Sequence, residues 1–150
     1  MSAAVALIRS MGEFNMTLKA AVETVLTLGV ALFFFYMGFG AVIDPDSTLS
    51  YFSAGTLGAD MRNEVRAVYG GYGVAIGLLL LATLKMSSLK TGVRLTVSVS
   101  VGGMAAGRFL SMLMEQPAGD FPLLILFVEI ALVVMLAAAL SLQNPAPRSI

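Results

Sequence analysis

The sequence predicts an all-α integral membrane protein, a four-helix antiparallel bundle with both termini on the cytoplasmic side. Apolar residues make up 58% of the chain and charged residues only 12%, the mean hydropathy is +0.90, and the charges lie between long uncharged stretches. A soluble domain runs nearer about 45–50% apolar and about 25% charged, so a water-facing surface cannot be assembled from these residues. One transmembrane domain over residues 1–150 is expected.

The first 20 residues read as a cytoplasmic arm. The apolar run 3–8 is short, Arg9 lies on its wrong side for an export signal, and no small-residue cleavage pattern precedes SMGEFN. The arm is either an interfacial amphipathic helix or a frayed segment. The first span follows at 24–43, uncharged and close to the ~20 residues needed to cross a ~30 Å hydrocarbon core. The second, 67–84, is uncharged and ends at Lys85, which can snorkel to the interface. The third, 95–114, is interrupted by Arg108, and the fourth, 121–142, by Glu129. Backbone amides in lipid must be satisfied within each segment, so four short-linked spans pack as antiparallel neighbours.

Loop charges set the orientation. Arg9, Lys19, Lys85, Lys90, Arg94 and Arg148 fall on one side, against Arg62 and Arg66 on the other, which places both termini in the cytoplasm of a bacterial inner membrane. Asp44, Asp46, Asp60, Glu64, Glu115 and Asp120 make the opposite face acidic. The external loop from Asp44 to Asn63 opens with Pro45 between two aspartates, turn chemistry that can start a short helix lying on the bundle.

Nine basic and nine acidic residues cancel, leaving no basic field of the kind nucleic-acid binders carry. With neither Cys nor His, disulfides, thiolate chemistry, zinc sites, haem ligation by His and imidazole catalysis are excluded. No cofactor or metal is expected.

The charges inside the spans are the informative residues. Arg108 lies about six residues from the outer end of its span and Glu129 about eight from the end of its own, so both sit roughly 10 Å deep. A lone charge at that depth costs at least about 2.5–3.5 kcal/mol, which predicts an Arg108–Glu129 ion pair inside the bundle. The pair is either part of a binding site or a lock that fixes helix register. At the start of the second span, NEVRAVYGGYGVAIG, α-helical spacing puts Arg66, Tyr69, Gly70, Gly73 and Gly77 on one face. Gly73 and Gly77 form a GxxxG, as do Gly103 and Gly107 on the third span with Ser111 continuing the ridge, so the two spans are expected to pack there. Arg66 and Tyr69 then point to the same outer-leaflet region as Arg108 and Glu129, a cluster able to hold a polar headgroup through guanidinium forks. One carboxylate, one phenol and guanidiniums offer no nucleophile–base pair, so an enzyme is not expected. The scattered methionines and the aromatic run 33–39 read as packing.

These residues carry a resemblance. Asn63, Glu64, Arg66, Tyr69, Gly70 and Gly71, then Gly107, Arg108 and Ser111 in AGRFLS, then Glu129 in FVEIAL, resemble the motifs of a bacterial family of four-span membrane proteins catalogued as a domain of unknown function, number 4345. The layout is more distantly similar to the DoxX-like four-helix proteins. The resemblance implies a fold and a group of candidate site residues, Asn63, Glu64, Arg66, Tyr69, Arg108, Ser111 and Glu129, and no reaction. The leading expectation is a non-enzymatic inner-membrane protein that binds a lipid or small amphipathic ligand at this outer-leaflet cluster, with membrane lipids as partners. Homo-oligomer formation, a membrane-protein partner, a small oligomeric transporter, and an assembly subunit are the alternatives.

Overall fold

The computed structural model describes residues 3–52, 54–115 and 119–143, and the surroundings of side chains from residue 6 onwards. Helix α1 spans Ala3–Ile43, α2 Pro45–Ser50 and α3 Ala59–Val65. A π-helical turn, Arg66–Gly71, joins α3 to α4, Tyr72–Lys85. A 3₁₀ turn at Ser87–Leu89 leads into α5, Lys90–Met114, and α6 is Phe121–Ser141. Four helical rods, Ala6–Ile43, Ala59–Lys85, Ser87–Met114 and Phe121–Ser141, are long and apolar enough to cross a membrane. The expected all-α four-helix architecture is present, and among the described residues there is no strand.

Connectivity gives the bundle a proximal end, where α1 enters and α6 leaves, and a distal end capped by α2 and α3. Helix α1 packs along α4 and α6, α5 packs along α6, and α4 touches α5 far more sparingly. The core is a column of small and branched side chains, including Val30, Ala31, Leu80, Val101 and Leu136. Its outside is equally apolar: Leu32, Tyr36, Val99, Leu113 and Phe127 are all exposed. An apolar coat over an apolar core is the pattern of helices solvated by hydrocarbon.

The glycine contacts correct one packing expectation. A Cβ on Gly73 would lie 3.1 Å from the Gly38 Cα and 3.2 Å from the Phe34 carbonyl oxygen; one on Gly38 would lie 2.7 Å from the Val74 backbone nitrogen. Gly70 and Gly77 likewise face Val42 and the Phe35 ring. The ridge of Gly70, Gly73 and Gly77 therefore docks against α1, with Gly38 as its counterpart. Around Gly103 and Gly107 a Cβ would meet nothing within 4 Å. A GxxxG permits close approach without choosing the partner, and Gly38 on α1 provides the complementary gap.

The arm also differs from expectation. It neither frays nor separates from the first span: α1 is one helix of 41 residues, ~61 Å long at 1.5 Å per residue. No Pro interrupts it, and Arg9 Nε donates to Glu13 Oε1 at 3.1 Å across one turn. At the distal end, Asp44 caps α2 by accepting from the Ser47 N–H at 3.0 Å. Tyr51 stacks on Phe121 with ring centroids 4.9 Å apart, and Phe52 meets the same ring edge-on at 5.1 Å. The expected short helix is present and packs on α1 and α3, and the turn that follows it lies on the start of α6. Asp46 ties the loop down by accepting from Arg62 Nε at 2.6 Å and from the Leu57 N–H at 2.8 Å. The Arg62 guanidinium, helped by that N–H, holds the Asp46 carboxyl below its ordinary range.

Candidate functional site

Arg108 and Glu129 meet as their depths predict. Arg108 Nε donates to Glu129 Oε2 at 3.0 Å and Nη2 donates to Oε1 at 2.8 Å. This is a two-pronged fork, the strongest geometry available to a guanidinium and a carboxylate. The Glu129 side chain is 5% exposed and that of Arg108 21%. The carboxylate faces the interior, and the guanidinium bridges it to the outside of the bundle.

The rest of the expected cluster is spread over a wider surface. Tyr69 is exposed. Arg66 instead reaches α1, where its Nε donates to the Val42 carbonyl oxygen at 3.1 Å. Asn63, Glu64 and Ser111 are exposed. The physical reason is the π turn: widening the helix at Arg66–Gly71 breaks the α-spacing on which a common face for Arg66 and Tyr69 depended. Gly70 and Gly71 favour such a departure, having the poorest helix propensity apart from proline. Gly70 stays buried against α1 while Tyr69 is exposed.

A second cluster lies at the proximal end. Arg94 was assigned to a loop outside the membrane; it is instead one turn inside α5 and 0% exposed. Its Nη1 donates to Glu23 Oε1 at 2.7 Å and, more weakly, to the Ala139 carbonyl oxygen at 3.5 Å. Lys90 Nζ donates to the same Glu23 oxygen at 2.8 Å. Glu23 is itself buried on α1, so this cluster joins the middle of α1 to the proximal ends of α5 and α6. Arg148, which shared the loop assignment, lies outside the described residues.

These features define a class: a helical protein fit to span a membrane, with an internal ion cluster towards each end and its distal cluster partly open. Residues 22–140 match the family described as Domain of unknown function (DUF4345), and the chain belongs to that family. Comparison with curated proteins and with solved structures finds no match. Among the described residues no group of three or more Asp, Glu, His or Cys could hold a metal ion.

Proposed function

We propose that this chain is a non-enzymatic protein of the bacterial inner membrane, both termini cytoplasmic, that holds a lipid headgroup or small amphipathic molecule at the distal, outer-leaflet cluster. The observation that carries this reading is the part-exposed Arg108 guanidinium, 21% of whose side chain is exposed while its partner Glu129 is buried. Its Nε and Nη2 are engaged by buried Glu129, which leaves Nη1 as a further donor. Arg66 engages Val42 through Nε alone, leaving its Nη groups as further donors. Guanidinium and phenol donors on an apolar surface suit a phosphate or other polar headgroup whose acyl chains lie along the exposed helices. Guanidiniums, a phenol and one paired carboxylate offer no nucleophile–base pair, which favours binding over catalysis.

The test removes the outward donors and spares the ion pair. Delipidated wild type is expected to retain added phosphatidylglycerol in native mass spectrometry, and the Arg66→Gln/Tyr69→Phe variant to bind it about tenfold more weakly. Equal retention by both proteins, each folded by circular dichroism, contradicts the reading.

A second reading concerns self-association. The roughly 20 residues of α1 before Glu23 extend ~30 Å beyond the proximal cluster. They carry Leu7, Met11, Phe14, Leu18 and Ala21 exposed along one face, with Val25 continuing the spacing just past Glu23, while Ile8 and Met16 are exposed off that face. The spacing alternates four, three, four, three and four, a heptad seam. Arg9, Glu13 and Lys19 all fall on the opposite side of the helix. No break turns this segment into a membrane plane, so its stripe needs cover in water, and a second copy of α1 fits the register. Light scattering in detergent is expected to give at least twice the chain mass for wild type and a monomer for Met11→Asn/Phe14→Asn/Leu18→Asn. A monomeric wild type rules this out.

A further inference from the structure

The proximal cluster contains an unfilled fork. Arg94 uses only Nη1 on its neighbours, while Nε and Nη2 are buried and have no hydrogen-bond partner among the described residues. Those two nitrogens form the edge of the guanidinium that grips both oxygens of an oxyanion, and it is the edge Arg108 presents to Glu129. Two arginines in one bundle thus differ in a simple way. The distal fork holds a carboxylate, and the proximal one has no partner among the described residues.

Its surroundings reinforce the imbalance. One carboxylate, Glu23, faces two cations, Arg94 and Lys90, through a single oxygen, so the cluster carries a surplus positive charge. The buried Ser98 hydroxyl, one turn further along the same face of α5, and the buried side-chain nitrogen of Gln143 at the end of α6 have no hydrogen-bond partner among the described residues. Leaving buried donors of a charged group unmade is costly. All these groups are donors, and an acceptor would satisfy each; for Arg94 one bearing negative charge would also offset the surplus.

The seam between α5 and α6 provides a route to the fork. Thr91 Oγ1 donates to Gln143 Oε1 at 2.9 Å, one turn nearer the proximal end than the contact between Arg94 and Ala139. This bond between two side chains ties α5 to α6 close to Arg94 in sequence. Lys90 stands at the rim with 30% of its side chain exposed, placed to attract an anion. Displacing Gln143 would break this bond.

We propose that Arg94, with Ser98 and Gln143, forms a gated site for a phosphate oxyanion, free or borne by a lipid headgroup, which fills the Nε/Nη2 fork and neutralises the surplus charge. The site is separate from the distal cluster and does not depend on its function.

Delipidated, detergent-solubilised protein tests this with two probes: inorganic phosphate at constant ionic strength, read by thermal unfolding, and phosphatidylglycerol against diacylglycerol of the same acyl chains, read by native mass spectrometry. Saturable stabilisation by inorganic phosphate identifies a free-phosphate site. Retention of phosphatidylglycerol over diacylglycerol, without a response to phosphate, identifies a lipid headgroup. In either case Arg94→Lys, which keeps the charge and removes the fork, is expected to weaken binding about tenfold. Ser98→Ala is expected to weaken it less, and Lys85→Gln, at an exposed position outside both clusters, not at all. If Arg94→Lys fails to fold, Ser98→Ala and wild type still decide the matter. Folded wild type that responds to neither probe, or binding unchanged in a folded Arg94→Lys or Ser98→Ala variant, overturns the proposal.

Discussion

Arg108→Met is expected to destabilise the protein by about 3–5 kcal/mol, and the double variant Arg108→Met/Glu129→Leu to recover most of that loss. Glu129 is 4% exposed, and its two oxygens are held by one guanidinium at 3.0 and 2.8 Å. Removing Arg108 strands a carboxylate where neither water nor another cation reaches it; removing both charges leaves an apolar contact between α5 and α6. A surface pair would give at most about 1 kcal/mol, so the size of the loss itself reports the burial. Glu129→Leu alone is expected to cost less than Arg108→Met, because the Arg108 side chain is 21% exposed and can carry its charge outward. Equilibrium unfolding in mild detergent measures all three variants. Equal effects of the two single changes, or no recovery in the double, would contradict a buried carboxylate dependent on one partner.

Gly38→Ala is expected to cost about 1–3 kcal/mol despite the better helix propensity of alanine, and Gly38→Leu more. The added Cβ would lie 2.7 Å from the Val74 nitrogen and 3.0 Å from the Gly70 carbonyl oxygen. Both are backbone atoms, so relief requires α1 and α4 to move apart. Gly103→Ala and Gly107→Ala provide the contrast, since each new methyl meets open space, and both are expected to be neutral or slightly stabilising. Thermal unfolding of the three alanine variants, with the π turn between α3 and α4 watched by amide exchange, checks the ranking. A tolerated Gly38→Ala beside a damaging Gly103→Ala would reverse the assignment of which helix the glycine ridge meets.

The contrast between the two ion clusters shows what the sequence could reveal. Arg108 and Glu129 each interrupt an uncharged run, so depth along the helix is enough to pair them. Glu23 and Arg94 sit at the ends of apolar runs, near Lys19 and Lys90, where a one-dimensional reading takes every charge as a solvated flank. Only the packing of α1 against α6 and α5 places them inside. Gly38 escaped notice for a related reason: it forms no GxxxG on α1, and its role comes from the partner helix. Helix existence was legible from hydropathy. The π turn was not, because it follows from how Gly70 meets Val42 and Gly38, a contact between segments distant in sequence.

The most direct test of the proposed function is a high-resolution density map of the protein in a lipid bilayer nanodisc, inspected at the outward side of Arg108. The expected result is headgroup density within hydrogen-bond distance of Arg108 Nη1 or the Tyr69 hydroxyl, with the fork to Glu129 intact. Acyl chains alone against Tyr69, with Arg108 held by Glu129 and water only, would make the pair a register lock and contradict a binding role for the distal cluster.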